Sequence, residues 1–215
     1  MIYFLGKFVP ALVNLVMIFL VVRFLGNDQY GKYSLIAYFA LLVMQLCSTW
    51  IQQSMIRFLS TYKEDPGGIL TRFFTLTLLS ILAGIVIMIP ICVFYFRLAL
   101  FETLVVIAYT SLFIFFTFRL TLYQAFMKPV KYAVYESSYN LFLLIFLLGF
   151  IFVFVSKNFI MVFVSMTAAF ILAEVLHYFF LREDRYRIDV FRPQWDRDFS
   201  KSVADYGVPL TIWIF

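Results

Sequence analysis

The sequence predicts an all-α fold: a polytopic membrane helix bundle of six transmembrane helices followed by the start of a seventh. Charged residues make up only 13% of the 215-residue chain and hydrophobic residues 64%, and a soluble domain of this size needs more charges to cover its surface. The mean hydropathy of +0.97 is typical of membrane proteins. The apolar residues also fall into runs of about 20, the length that crosses a bilayer as a helix.

Each run is expected to be helical because lipid cannot satisfy an unpaired backbone. The six runs are residues 2–22, 35–56, 73–96, 103–118, 137–156 and 158–181. The first run has no A-x-A-like cleavage site after it and is followed by further spans, so it is predicted to be a transmembrane helix rather than a signal peptide. The fourth run is short, and its helix is expected to extend to about Gln124.

The chain divides into three predicted parts. Residues 1–181 form a six-helix lobe, residues 182–205 a cytoplasmic interlobe segment, and residues 206–215 the start of a seventh span that the sequence cuts short. The interlobe segment contains six cations and six anions. A buried or re-entrant tail is the alternative for residues 206–215.

A short amphipathic helix is predicted within the interlobe segment, lying along the membrane interface. Its apolar residues recur at helical spacing and are Trp195, Phe199, Val203 and Tyr206. Gly207 is expected to end this helix, with Pro209 just beyond it. An ordinary loop with chance spacing is the alternative.

The distribution of cations predicts the orientation. The connections after predicted helices 2, 4 and 6 contain twelve Lys and Arg residues, whereas those after helices 1, 3 and 5 contain four. These four are Arg23, Lys32, Arg97 and Lys157. The positive-inside rule therefore places the amino terminus in the cytoplasm. Because the basic residues form no separate patch, the net charge of +5 does not indicate a nucleic-acid partner.

The sequence offers little catalytic chemistry. It has one histidine, and Cys47 and Cys92 both fall inside predicted spans, so neither an enzyme nor a cofactor or metal site is predicted. Glu174 and His177 lie three residues apart and share a helix face. They are candidates for ion or proton coupling, although snorkelling or pairing near the cytoplasmic end explains them equally well.

Polar stripes are better indications of function. On helix 2, four residues follow i, i+3, i+4, i+7 spacing: Gln45, Ser48, Thr49 and Gln52. On helix 1, Lys7, Pro10 and Asn14 align similarly. Such stripes avoid lipid, so they face either other helices or a watery cavity, and both interpretations stay open. A weaker stripe on helix 4 is expected to bond its own backbone; it consists of Thr110, Thr117, Thr121 and Gln124.

Four segments resemble motifs of Wzx-type polysaccharide flippases. "RFLGNDQYGKYSL" at 23–35 resembles the loop after their first helix, Arg-x-Leu-Gly-x-x-x-Tyr-Gly-x-Tyr. "QQSMIRFLSTY" resembles the exit of their second helix, with Arg57 at the typical place. "YQAFMKPVKYAVYESSYNLFLL" is similar to their 4–5 hairpin, and "ADYGVPLTIWIF" to the start of their seventh helix. In the first segment, Gly26 and Gly31 are expected to give a short turn its backbone freedom.

The resemblance implies one lobe of the two-lobe MOP/MATE-like exporter fold. Such proteins move lipid-linked sugar across the prokaryotic cytoplasmic membrane by alternating access. The implied partners are an undecaprenyl-diphosphate oligosaccharide, membrane lipid and other polysaccharide-assembly proteins. Moving a diphosphate through hydrocarbon unaided is prohibitive, so a polar lining is expected. Its candidates are Arg23, Arg57, Asn14, Gln45 and Gln52, with snorkelling as the alternative for Arg23.

Three other functions compete with this interpretation. An ion-coupled multidrug exporter often uses an acidic residue deep in its amino-terminal lobe, and predicted helices 1–5 have no mid-membrane Asp or Glu. An integral-membrane polysaccharide polymerase or ligase usually has a large outside loop, whereas the predicted outside loops are short. A purely structural subunit also fits the sequence.

Overall fold

The computed structural model describes residues 2–61, 66–154, 158–181 and 195–212, and these residues form helices and no strand. The helices are α1 (Ile2–Leu25), α2 (Asn27–Thr61), α3 (Pro66–Pro90), α4 (Leu100–Ala125), α5 (Pro129–Phe154), α6 (Ile160–Leu176) and α7 (Arg197–Ile212). A single π-helical turn extends α3 over Ile91–Tyr95, and another extends α6 over His177–Leu181. The predicted all-α bundle is confirmed.

Five helices in the described segments are long and apolar enough to cross a membrane, so the chain is a multi-pass membrane protein. They are Asn27–Leu59, Gly68–Tyr95, Leu100–Ala125, Pro129–Phe152 and Ile160–Phe180, and they correspond to the second to sixth predicted spans. The first predicted span falls within α1, of which Pro10–Leu25 is an apolar helix of shorter length. The fourth helix ends at Ala125, one residue beyond the expected Gln124.

The junction between α1 and α2 is shorter than predicted. Only Gly26 leaves the helical conformation, with φ +75°, a backbone region in which a side chain is strained. Gly31 lies within α2, and a Cβ at this position would have no atom within 4 Å. The prediction that Gly31 supplies turn flexibility is therefore wrong, because one left-handed residue suffices to join the two helices.

The two ends of the bundle are named by their connections. The "odd end" carries the connections that follow α1, α3 and α5, and the "even end" carries those that follow α2, α4 and α6. α2 has 35 residues and is about 52 Å long at 1.5 Å per residue. Because a hydrocarbon core is about 30 Å thick, α2 extends beyond a membrane and contributes residues to both ends.

Two hydrophobic cores meet at α4. The first joins α4 to α1, α5, α6 and the start of α2, and its buried residues include Tyr109, Phe116 and Phe170. The second joins α4 to α3, α7 and the end of α2, and includes Phe73 and Phe118. Phe116 and Phe118 are two residues apart and point to roughly opposite faces of α4. This helix therefore holds the two halves of the bundle together.

Aromatic side chains fill the space between α4, α5 and α6. The rings of Tyr139 and Phe170 stack with centroids 4.3 Å apart, and those of Phe116 and Tyr135 with centroids 4.8 Å apart. Between apolar helices in lipid, close van der Waals packing replaces the hydrophobic driving force. Stacked rings at these distances supply such packing, so they fix the relative positions of the three helices.

The predicted interlobe helix exists as α7, and its apolar face packs on α2 and α3. The Phe199 ring lies against those of Phe58 and Phe73, with centroids 6.2 and 5.1 Å away. The Ser54 hydroxyl donates to the Val203 carbonyl oxygen over 2.8 Å. Trp195 remains exposed. The contacts of Phe199 and Val203 exclude an ordinary loop for this segment.

Asp196 anchors the start of α7 at the even end. Its Oδ1 accepts hydrogen bonds from the backbone N–H groups of Asp198 and Phe199, over 3.0 and 3.1 Å. Such a side chain satisfies donors that the first turn of a helix leaves unpaired. Its Oδ2 lies 3.0 Å from Arg72 Nη1. One carboxylate therefore both caps α7 and connects it to α3.

The predicted end of α7 at Gly207 is wrong, since the helix continues through Pro209 to Ile212 and crosses the predicted boundary between residues 205 and 206. A Cβ at Gly207 would lie 2.1 Å from the Trp50 carbonyl oxygen. Small residues of this kind let two helix backbones approach closely. Gly207 is therefore required by packing against α2, whereas the prediction treated it as a helix cap.

Some sequence predictions lie outside the part of the chain that the structure describes. They concern the side chain of Lys7, the connection containing Lys157, and residues 182–194 and 213–215 of the interlobe segment and the seventh run. These stay predictions.

The close approach at Gly207 gives a stability test. We expect Gly207→Ala to destabilise the chain by about 1–3 kcal/mol, because an added methyl group in a packed contact forces the backbones apart. Gly31→Ala is the matched control, with open space around its Cβ. It is expected to stabilise α2 by about 0.5–1 kcal/mol. Unfolding of the detergent-solubilised chain in SDS measures both variants, and equal effects would contradict the contact.

Candidate functional site

The two α1 candidates, Asn14 and Arg23, have exposed side chains. α1 buries Val13, Met17 and Val21, the last two of them in the first core, which turns Asn14 away from the neighbouring helices. Neither Asn14 nor Arg23 forms a hydrogen bond or ion pair with another residue of the described segments. Both are therefore free to interact with a ligand.

The polar stripe of α2 is divided between two roles. Gln52 Nε2 donates to Ser48 Oγ over 3.0 Å and to Thr117 Oγ1 on α4 over 2.9 Å. Both N–H groups of this amide are thus engaged, and for Gln52 the interpretation as a hydrogen bond between helices is confirmed. Gln45 is half-buried and has no hydrogen bond to a described residue. Of the two glutamines, only Gln45 keeps its full hydrogen-bonding capacity.

The stripe of α4 is structural, as predicted. Thr110 Oγ1 donates to the Val106 carbonyl oxygen and Thr121 Oγ1 to that of Thr117, both over 2.9 Å. Such bonds to the preceding turn satisfy a hydroxyl without a partner helix. Gln124, the last residue of this stripe, is exposed.

Arg57 lies at the even end, where α2 meets α7. Its guanidinium carbon is 4.3 Å from the centroid of the Tyr206 ring, and the same ring contacts Phe58 edge to face. A guanidinium over an aromatic face is an attractive arrangement. Arg57 is also exposed, so it combines a contact to α7 with access to the surroundings.

Glu174 and His177 do lie on one face of α6, and both meet polar side chains of the neighbouring helices. The Tyr135 hydroxyl donates to Glu174 Oε1, and Arg119 Nε lies 3.6 Å from Glu174 Oε2. The Tyr123 hydroxyl and His177 Nδ1 form a second hydrogen bond. We call this group the Glu174 cluster; it comprises Arg119, Tyr123, Tyr135, Glu174 and His177.

The Glu174 cluster is largely shielded from solvent. The side chains of Arg119 and Glu174 are 17% and 20% exposed, and His177 is 8% exposed. His177 begins the π-helical turn that extends α6. The Tyr135 ring lies 5.8 Å from that of Tyr123 and 6.0 Å from that of His177, so the two hydrogen-bonded pairs are in contact. The cluster joins α4, α5 and α6 near the even end.

Pairing explains why these charges are tolerated. An ionised side chain inside a membrane protein is costly unless an opposite charge or hydrogen bonds compensate it. Glu174 receives both kinds of compensation, from Arg119 and from Tyr135. A proton added to this carboxylate would remove its attraction for Arg119.

Sequence reasoning missed three members of the cluster. The position of Arg119 could have predicted its role. The fourth helix was expected to extend past it, and a charged residue inside a span needs a partner of opposite charge. Glu174 was the only acidic residue in the sixth run. Tyr123 and Tyr135 carried none, since the chain has 14 tyrosines and spacing alone does not distinguish them.

Two further findings bear on metal chemistry. Within the described segments, no group of three or more His, Cys, Asp or Glu side chains is arranged to hold a metal ion. Cys47 and Cys92 are both buried free thiols, in positions where cysteine acts as a small apolar side chain.

Comparison with known proteins gives a family. Residues 1–213 match the sequence profile of the family described as polysaccharide biosynthesis protein. No curated protein and no solved structure matches the chain significantly.

A double-mutant cycle tests the ion pair of the Glu174 cluster. Glu174→Gln and Arg119→Met are each expected to destabilise the chain by about 3 kcal/mol, because each leaves a shielded charge unpaired. The double variant should lose about 1–2 kcal/mol less than the sum of the single variants. SDS unfolding of the four proteins measures the coupling, and strictly additive losses would show that the two side chains do not interact.

Proposed function

Because the chain belongs to the polysaccharide biosynthesis protein family, we propose that it forms the amino-terminal lobe of a flippase. The proposed flippase moves a lipid-linked oligosaccharide across the prokaryotic cytoplasmic membrane by alternating access and leaves its covalent bonds intact. Family membership over residues 1–213 carries this proposal. The five helices of the described segments that are long and apolar enough to cross a membrane support it, because a transporter has to enclose a route through the bilayer.

The cargo's charge defines what the lobe has to supply. A lipid-linked oligosaccharide carries its negative charge on the diphosphate, and this group cannot enter hydrocarbon without compensation. Asn14 is a polar side chain in an apolar helix and is exposed, an arrangement that is unfavourable against lipid but suited to a wet cleft. We therefore propose that the exposed face of α1 borders the transport route, with Arg23 at its odd end.

The remaining candidates differ in how well their contacts suit a lining role. Gln45 is half-buried and Arg57 is exposed. Gln52 is the weakest candidate, because Ser48 and Thr117 engage both N–H groups of its amide. The proposed lining is therefore Asn14, Arg23, Gln45 and Arg57, with Gln52 behind it as a support.

The Glu174 cluster is the proposed site of ion or proton coupling. Its titratable and charged groups come from all three helices packed around it: Arg119 and Tyr123 from α4, Tyr135 from α5, and Glu174 and His177 from α6. Proton uptake by Glu174 weakens the contact between α4 and α6. This change would allow transport to respond to a proton gradient. In this proposal the even end of the bundle faces the cytoplasm.

Reconstitution of the complete protein tests the flippase proposal. Liposomes carry a lipid-linked oligosaccharide in both leaflets, and membrane-impermeant periodate oxidises only the outer pool. With the transporter present, the oxidised fraction should rise from about half to nearly all of the substrate; an unchanged fraction would contradict flipping. In liposomes that receive no periodate, the molecular mass of the oligosaccharide should stay constant. A polymerase or ligase would alter its number of repeats.

A set of three variants separates two roles of Arg57 in the complete protein. We expect Arg57→Ala to reduce export at least about tenfold at normal membrane abundance, because one charge-assisted contact to the diphosphate is lost. Arg57→Lys should retain most activity, since a lysine keeps the charge.

Tyr206→Leu is the matched control for the Arg57 series, because it removes the ring beneath the guanidinium and leaves the charge. It should export normally if Arg57 acts on the cargo. Strong loss in both Arg57→Lys and Tyr206→Leu would instead assign Arg57 to the contact between α2 and α7. Wild-type export by Arg57→Ala would remove Arg57 from the mechanism.

A further inference from the structure

A cavity of about 450 Å³ opens at the odd end of the bundle, away from the Glu174 cluster. Its walls are formed by the start of α2, by residues 96–98 and the first turn of α4, and by residues 158–159 before α6. Its lining residues are Gln29, Lys32, Ile36, Phe96, Arg97, Leu98, Glu102, Asn158 and Phe159. The volume falls within the range of about 300–1,000 Å³ that small-molecule sites occupy. We call it the odd-end cavity.

Two cations line the odd-end cavity without a counter-ion. Lys32 and Arg97 are both exposed, and neither forms an ion pair with a residue in the described part of the chain. The one carboxylate in the lining, Glu102, accepts a hydrogen bond from the Ala99 backbone N–H over 3.1 Å. The cavity therefore carries a net positive charge, and its cations are available to an anion.

The backbone of Arg97 is held in an unfavourable conformation. Its φ is +52°, in the left-handed region that costs a residue with a side chain about 1 kcal/mol or more. Neighbouring hydrogen bonds fix this conformation: the Phe96 N–H donates to the Ile91 carbonyl oxygen and the Leu98 N–H to that of Cys92, over 3.1 and 3.0 Å. Glycine would relieve the strain, so an arginine at this position lowers stability relative to glycine.

The lining also contains two amides that are already oriented. Gln29 Oε1 accepts the Phe159 backbone N–H over 3.3 Å, and Asn158 Oδ1 accepts that of Ile160 over 3.0 Å. Both oxygens are thus occupied, whereas their amide N–H groups have no hydrogen bond within the described segments. The accessible lining of the cavity is more polar than apolar, which suits a ligand that carries charge and hydroxyl groups.

We propose that the odd-end cavity binds an anionic, hydroxyl-bearing group, such as a sugar that carries a carboxylate or a phosphate. Lys32 and Arg97 would bind the anion, the amides of Gln29 and Asn158 would donate to its oxygens, and Glu102 would accept from a hydroxyl. An inorganic anion that lacks hydroxyl groups gives Glu102 no hydrogen bond to accept and meets its repulsion. The lining therefore fits a group with both an acid and hydroxyls better than it fits a simple anion.

Two sources present this chemistry: an acidic sugar of the cargo and a phosphoglycerol lipid headgroup. Preference for the sugar rests on the proposed function, whereas the charge, strain and oriented amides of the cavity do not. Binding is therefore measured separately from transport. A chain that binds the probe but fails to flip would contradict the proposed function alone, and a chain that flips without binding would contradict only the cavity assignment.

The test uses the 215-residue chain in phosphatidylcholine nanodiscs and saturation-transfer NMR with glucuronic acid as the probe. Glucose serves as the same ring without the acid, and inorganic phosphate as an anion without the ring. We expect saturation transfer to glucuronic acid and little to glucose. Phosphate should compete for the cavity more weakly than glucuronic acid binds to it. Equal transfer to glucose and glucuronic acid, or phosphate competing as well as the sugar acid, would overturn the proposal.

Paired variants locate the binding. Lys32→Gln/Arg97→Gln should weaken glucuronic acid binding at least about tenfold, the loss expected from a charge-assisted hydrogen bond. Arg197→Gln/Lys201→Gln is the matched control, because it removes two exposed cations of α7 and should bind normally. Equal losses in the two double variants would mean that net charge, not the cavity, attracts the probe.

Arg97→Gly guards against a folding defect. It relieves the left-handed strain, so the melting temperature should rise while binding falls. Unchanged binding in this variant would overturn the role of Arg97. Nanodiscs that contain phosphatidylglycerol then distinguish the two sources: continued sugar binding assigns the cavity to a sugar, whereas loss of sugar binding assigns it to the lipid headgroup.

Discussion

The absence of hydrogen-bonding partners in hydrocarbon is the constraint on which this structure depends. It makes every span helical, and it also decides where side chains with polar atoms turn. Thr110 and Thr121 bond to their own helix, Gln52 reaches across to Thr117, and the Ser80 hydroxyl donates to the Cys47 carbonyl oxygen on α2 over 2.7 Å. The Glu174 cluster follows the same rule at higher cost, because its groups carry charge.

Local sequence was sufficient for the helices and insufficient for their contacts. Charge-free runs of about 20 residues have few structural solutions, so the spans were predictable. Gly207 and Gly31 were each assigned a local backbone role, yet one is required by Trp50 on another helix and the other by nothing nearby. The contact of Tyr135 with Glu174 depends on tertiary packing, for which a single sequence carries no periodic signal.

The candidate site was predicted in part for the same reason. The shared face of Glu174 and His177 follows from helix geometry, and the structure shows it. Their hydrogen-bond partners, Tyr135 and Tyr123, lie 39 and 54 residues away in sequence, on helices whose rotation about their own axes is set by aromatic packing. The stripe of α2 shows what helical spacing cannot predict. Spacing places Gln45 and Gln52 on one face, but only the packing of α2 against α4 determines that Gln52 is hydrogen-bonded and Gln45 is not.

Location explains why some charges of this chain are paired and others are not. Arg119 and Glu174 lie between helices, where water is scarce, and an uncompensated charge there would be more costly than the contact. Lys32 and Arg97 lie at a bundle end, where water solvates a cation, so a lack of partners costs little and leaves both available. Solvation does not explain the strained backbone of Arg97, because a glycine at the same place would be solvated equally well. The end of a helix does explain it, because Met127 has the same left-handed conformation after α4 and the same kind of local hydrogen bonds follow both residues. Its unpaired charge, rather than its backbone, therefore connects Arg97 to the cavity that it lines.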